Sequence, residues 1–234
     1  GWGSGIGVWD NLAPRLAPRF RVHALPLPGY EAVCARAVSS LQATVDYVAR
    51  AAPRRCGVVG WSLGGEVALA WARRMPLQVQ RMALIATTPC FAGRPGWRCA
   101  TAPAVLHEFG LAIAADRDGT LARFVAVQAR GDSRAQQVAG VLQLLYKNGP
   151  ADEVLAAGLT LLSDTDLRRE LARVMQPALV MHGARDCIVP PAAGRRLAQA
   201  LPHARFMLLR TCAHAPFVSQ PERTAKALRE FFGE

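Results

Sequence analysis

Three side chains of the right types for acyl transfer stand far apart in the sequence. Ser62 lies in "GWSLGG" (residues 60–65), Asp186 in "VMHGARDCIVP" and His214 in "LLRTCAHAPF". A serine hydroxyl is a poor nucleophile at its own pKa; it needs an imidazole base, and the base needs a carboxylate to hold it in the correct tautomer. Each of the three follows an apolar run, as it must if all are to gather at one edge of a sheet. The 28 residues from Asp186 to His214 leave room for one helix and one strand.

Gly60 and Gly64 complete a G-x-S-x-G pattern. A serine at the tip of a sharp strand-to-helix turn takes a strained backbone conformation, and residues two positions away on either side crowd one another unless they lack side chains. Gly65 allows closer packing still. The turn leaves the Leu63 backbone N–H at a helix N-terminus, aimed at developing negative charge. A second donor for such an oxyanion hole is expected from the N–H of Trp2, in the glycine-rich "GWGSG" that opens the chain.

Other titratable residues fit the chemistry less well. Asp164 and Asp166, in "LLSDTDLRREL", read as helix-capping or first-turn acids. His23 within a strand, His107 in a helical stretch, His182 at a strand end and His203 in a turn read as ordinary polar side chains. His182 with Asp186 offers two metal ligands without a third, so no metal is expected.

The elements that must position the triad are visible as periodicity. "FRVHAL", "CGVVG", "VQRMALIA", "PALVMHG" and "ARFMLLR" read as strands. Helical patterns run over Leu41, Val45, Val48 and Ala52, over "LGGEVALAWARRM", and over "PPAAGRRLAQAL", which Pro190 and Pro191 start. Phe217, Ala225, Leu228 and Phe232 fit one terminal amphipathic helix. Short strands alternating with helices imply an α/β fold, a mostly parallel sheet covered by helices on both faces. Between about residues 91 and 175 only helical periodicity remains. The expected organisation is a core of residues 1–90 and 176–234 with a helical cap insertion at 91–175.

Composition narrows the class. The 234 residues are 51% hydrophobic and 19% charged, without an apolar run long enough to span a bilayer, and imply a soluble, cytoplasmic protein. The six cysteines form no CxxC pair and are expected to be reduced, free thiols. The net charge of +11 rests almost wholly on arginine. That balance favours an acidic partner, and no nucleic-acid recognition module accompanies it.

Together these residues resemble the α/β-hydrolase superfamily. Within it "GWG…VW", "LPG" at 27–29, "GWSLGG", "LARFVAVQ", "TDLR" and "AHAPF" followed by "SQP" resemble the pimeloyl-acyl carrier protein methyl ester esterases of biotin synthesis. The resemblance implies an α/β-hydrolase fold, a Ser62–Asp186–His214 triad, an oxyanion hole of Trp2 and Leu63, and no cofactor. The implied partner is an acidic acyl carrier protein bearing a pimeloyl methyl ester, bound by a monomer. Trp61 and Phe124 match positions lining the family's acyl channel; Arg123 matches an arginine that contacts the carrier, and Arg134 matches another when one residue is deleted between the two. Gly119 and Val138 stand where further family arginines are expected. Pro26 replaces the usual Asp before "LPG", and Glu31 a usual Gly. The strand that precedes "GWG" in the family does not precede it here, so the natural protein is expected to be longer, or this version impaired. The alternatives left open are a general short-chain carboxylesterase acting on free esters and a ligand-binding receptor on the same scaffold.

Overall fold

The computed structural model describes residues 1–30 and 40–234; Glu31 and Cys34 lie outside them. Four strands form one parallel sheet: β1 (Cys56–Trp61), β2 (Val79–Ile85), β3 (Ala178–Gly183) and β4 (Ala204–Leu209), hydrogen-bonded in that order.

Both faces of the sheet are buried, which is why its strands read as continuous apolar runs. Met82, Leu84, Ala178 and Val180 point into a cluster with Val45, Val67 and Leu197. Their neighbours Ala83, Ile85, Leu179 and Met181 point the other way, into a cluster with Trp61, Phe217 and Phe231.

The helices in chain order are α1 (Ala13–Leu16), α2 (Leu41–Ala51), α3 (Leu63–Arg74), α4 (Pro103–Ala115), α5 (Arg117–Ala129), α6 (Ala135–Lys147), α7 (Asp152–Asp164), α8 (Pro191–Ala200), α9 (Pro216–Ser219) and α10 (Pro221–Gly233). Their starts follow local chemistry. Ser40 caps α2 by accepting from the Ala43 N–H, Asp116 caps α5 by accepting from Gly119, and Pro191 begins α8. Four consecutive helices, α4 to α7, connect β2 to β3. No helix among the described residues is long and apolar enough to cross a membrane. The five described cysteines, Cys56, Cys90, Cys99, Cys187 and Cys212, are free thiols.

Three expectations are corrected. The stretch "FRVHAL" is not a strand: residues 21–27 have no regular structure, and a cavity of about 830 Å³ lies between them and β1. A strand exists only through a paired neighbour, and this stretch has none among the described residues. Asp164 and Asp166 do not start a helix. Asp164 ends α7, while Asp166 accepts the Arg168 backbone N–H at 3.2 Å and pairs with its guanidinium at 2.7 Å; a 3-10 turn, Leu171–Arg173, follows. The terminal amphipathic helix is two helices, because the chain breaks at Gln220 before Pro221, leaving Phe217 on α9 and Leu228 on α10.

Candidate active site

The sheet delivers three loops to its carboxyl edge. Ser62 follows β1 directly, Asp186 lies three residues beyond β3, and His214 lies in the loop between β4 and α9.

Ser62 adopts φ 54°, ψ −121°, in the region that L side chains rarely enter. The surroundings hold it there: its N–H donates to Ile85 O at 3.0 Å, and its carbonyl accepts from the Gly65 N–H at 2.8 Å and from Thr87 Oγ1 at 2.8 Å. Two of the three glycines are sterically required. A Cβ on Gly60 would collide with the carbonyl of Gly64 and lie 2.8 Å from Gly65 Cα, and one on Gly65 would lie 2.6 Å from Thr87. A Cβ on Gly64 would meet open space. The crowding thus falls on the Gly60 side chain position and on the Gly64 backbone, not on the Gly64 side chain position.

Asp186 and His214 are joined. Asp186 Oδ2 lies 2.8 Å from His214 Nδ1, both groups buried, and Oδ1 accepts the N–H groups of Ile188 at 2.8 Å and Val189 at 3.0 Å. Burial opposes the charged carboxylate, but the imidazoles of His214 and His182 outweigh it and hold the acid well below the usual carboxylate range. Pairing with a carboxylate assigns the His214 proton to Nδ1 and leaves Nε2 free to accept one. The His214 backbone is fixed from both sides: its N–H donates to Gln128 O at 3.2 Å and its carbonyl accepts from Trp61 Nε1 at 2.9 Å. Ser62 Oγ makes no hydrogen bond to His214 among the described residues; in sites without substrate this contact is commonly long and tightens on binding.

His182 also belongs to this constellation. Its Nε2 faces two acceptors, Val189 O at 2.9 Å and Asp186 Oδ2 at 3.2 Å, so it carries the proton, and its Nδ1 is buried without a partner among the described residues. The i, i+4 spacing from Asp186 signals the contact, which the ordinary-side-chain reading overlooks. No group of three His, Cys, Asp or Glu among the described residues is arranged to hold a metal ion.

The oxyanion candidates differ in setting. Leu63 opens α3, so its N–H belongs to the unsatisfied first turn. Trp2 is buried, its indole N–H donating to Leu155 O at 2.9 Å, and the preceding Gly1 packs on the Trp61 ring next to Ser62. Its backbone N–H has no internal acceptor among the described residues.

The four side chains matched to substrate contacts fall in two settings. Trp61 is fully buried, its ring 5.4 Å from that of His214. Phe124 is half-buried on α5, edge-on to Trp2 at 5.3 Å and to Tyr146 at 5.8 Å. Arg123 and Arg134 are exposed on α5 and at the start of α6; Arg123 donates to Thr120 Oγ1 at 2.7 Å. The 830 Å³ cavity beside β1 has neither Ser62, Asp186 nor His214 in its wall.

A serine on a strained turn, an imidazole oriented by a buried carboxylate and two unsatisfied backbone donors are the parts that acyl transfer requires. Comparison with known proteins is consistent with that chemistry. The model of the alpha/beta hydrolase family matches residues 1–227. A pimeloyl-acyl-carrier protein methyl ester esterase of Nitrosomonas europaea is 40% identical over 95% of this chain and 89% of its own length. Its counterpart in Aromatoleum aromaticum is 42% identical over 98% of this chain and 94% of its own length. Among solved structures, an esterase from Exiguobacterium antarcticum superposes with a TM-score of 0.91 over 100% of this chain and 90% of its own, at 18% identity, a likeness of fold.

Proposed function

The chain belongs to the alpha/beta hydrolase family, and on that premise we propose that it is a serine carboxylesterase that hydrolyses the methyl ester of a pimeloyl chain carried by acyl carrier protein, a step of biotin synthesis. The observation that carries the chemistry is the buried 2.8 Å contact of His214 Nδ1 with Asp186, in the same edge of the sheet as the strained Ser62. The substrate class rests on the relatives of 40% and 42% identity.

In this reading Ser62 Oγ attacks the ester carbonyl while His214 Nε2 takes its proton. Asp186 stabilises the imidazolium, and the N–H groups of Leu63 and Trp2 receive the oxyanion. His214 returns the proton to the leaving methoxide, which departs as methanol. Water then attacks the acyl-enzyme with the same base, releasing the carboxylate and restoring Ser62. Protein groups suffice for every proton transfer.

Helices α4 to α7 act as the cap in this proposal, because they hold both catalytic loops: Gln128 on α5 accepts from the His214 N–H, and Leu155 on α7 accepts from the Trp2 indole. Phe124 lines the acyl path, and Trp61 bears on it through the His214 loop. Arg123 and Arg134 meet the acidic carrier; such exposed charges steer association more than they add final affinity, and salt weakens them.

The test is the hydrolysis rate of pimeloyl-carrier-protein methyl ester beside a free short-chain ester, for the native and Ser62→Ala proteins at low and moderate salt. The expected result is turnover that prefers the carrier-bound ester, fades with salt, and falls by at least about 10⁴-fold in Ser62→Ala. Equal or better turnover of the free ester would assign a general carboxylesterase. Tight ligand binding with no serine-dependent turnover would assign a receptor.

A further inference from the structure

Two tyrosines hold opposite ends of one peptide unit. The carbonyl of Trp2 accepts the Tyr146 hydroxyl at 2.8 Å, and the N–H of Gly3, the other end of that peptide, donates to the Tyr30 hydroxyl at 2.9 Å. The peptide is planar, so fixing both ends fixes its plane. Tyr146 is in turn held by Gln128 Nε2 at 3.1 Å, and Trp2 is anchored separately through its indole to Leu155. Gly3 has φ 73°, and a Cβ there would lie 2.5 Å from the Tyr146 ring, so the closeness of ring and backbone needs glycine at this position.

We propose that Tyr146 and Tyr30 are positioning residues that clamp the Trp2–Gly3 peptide and thereby hold the Trp2 N–H where the oxyanion forms. The proposal rests on the triad and oxyanion roles assigned above. The Trp2 N–H belongs to the preceding Gly1–Trp2 peptide; with the Trp2–Gly3 plane fixed, the indole anchor limits rotation about the Trp2 Cα–C bond and leaves rotation about the N–Cα bond. That rotation is limited by the Gly1 carbonyl, which accepts from the Ser4 N–H at 3.4 Å and from Ser4 Oγ at 3.3 Å. A donor held in place before reaction costs no reorganisation when charge develops, which is the source of its catalytic value. Neither tyrosine needs to touch substrate. Burial keeps the Tyr146 proton on its oxygen, so the hydroxyl remains a donor across any working pH.

The substitutions Tyr146→Phe and Tyr30→Phe remove one oxygen each and keep the ring. With p-nitrophenyl butyrate as substrate, and active sites counted by phosphonate titration, each is expected to lower kcat roughly tenfold with KM within about twofold. This is smaller than the ~10²–10³-fold cost of deleting an oxyanion donor outright, because the N–H remains but is less well placed. A trifluoromethyl ketone, which forms a tetrahedral adduct with the serine, should lose affinity by the same factor as kcat/KM. A merely structural role would lower thermal stability and the titrated fraction but leave kcat per titrated site and inhibitor affinity unchanged, and that result overturns the proposal. Should Tyr146→Phe fail to fold, the less buried Tyr30→Phe decides by the same criteria. Ser62→Ala separates the two layers: turnover surviving in it sinks the triad assignment, whereas turnover abolished in it but undiminished in both tyrosine variants sinks the clamp alone.

Discussion

Asp132 Oδ2 accepts the backbone N–H of Ala213 at 2.7 Å, although the two residues are 81 positions apart. Its Oδ1 accepts the Ser219 hydroxyl at 2.6 Å and the Arg134 N–H at 2.8 Å. One carboxylate in the α5–α6 turn thus ties down both the residue before His214 and the helix after it. Together with the Ser133 N–H bond to Thr211 O at 2.9 Å, it makes the helical segment part of the support for the His214 loop.

Asp132→Ala should therefore affect both stability and rate. It leaves the Ala213 N–H and the Ser219 hydroxyl buried without acceptors, a loss of about 3 kcal/mol, or roughly 6–12 °C in Tm for a chain of this size. Below the transition, kcat per active site should fall as the His214 loop loosens, with KM changed less. Asp132→Asn keeps one acceptor oxygen and should recover part of both. Thermal melting and steady-state kinetics on a small ester check this; an alanine variant that melts lower yet keeps native kcat would limit Asp132 to stability.

His182 predicts a different signature. It gives Asp186 a second imidazole N–H, at 3.2 Å, so the carboxylate that orients His214 is itself oriented from the side. His182→Leu should lower kcat/KM by about three- to tenfold, a loss on the order of 1 kcal/mol, while His182→Gln, which can still donate, should lose less. The buried Val189 carbonyl, which faces the same Nε2 at 2.9 Å, loses its donor in the leucine variant, so some stability is expected to go with the imidazole. Equal activity in the leucine and glutamine variants would show that packing, not the hydrogen bond, is what His182 supplies.

The extent to which this arrangement is legible in sequence follows from distance along the chain. Ser62 can be read because its turn is built by adjacent glycines, and Asp186 and His214 because each closely follows an apolar run whose parallel-strand character local composition reveals. Gly64 belongs to the same motif, yet its side chain position is open, since the crowding depends on which way the turn rolls. "FRVHAL" has the composition of a strand, but pairing is a property of neighbours, and it has none among the described residues. Asp132, Tyr30 and Tyr146 carry no local signature at all: their partners lie 81, 27 and 144 positions away, and only the completed fold brings them together.

Glu66 lets pH report on the core beneath Ser62. It is buried in the first turn of α3, and neither carboxyl oxygen has a partner among the described residues. Burial raises its pKa well above the ordinary 4.5, so the folded protein keeps a proton that the unfolded chain releases. The folded state then binds more protons than the unfolded state from about pH 4.5 up to the raised value, and stability falls as pH rises through that window. Glu66→Gln and Glu66→Leu remove the titration. Each should gain in melting temperature relative to the native protein as the pH rises from 4 to 8, because only the native chain must release this proton on unfolding, and the gain should vanish toward pH 4, where the native carboxyl is neutral in both states. The sign distinguishes this group from Asp186, whose depressed pKa contributes stability present at neutral pH and lost only as pH falls below the ordinary carboxylate range. Melting curves from pH 4 to 8 on native and Glu66→Gln proteins test it directly: a difference independent of pH would mean that Glu66 is not held neutral by burial.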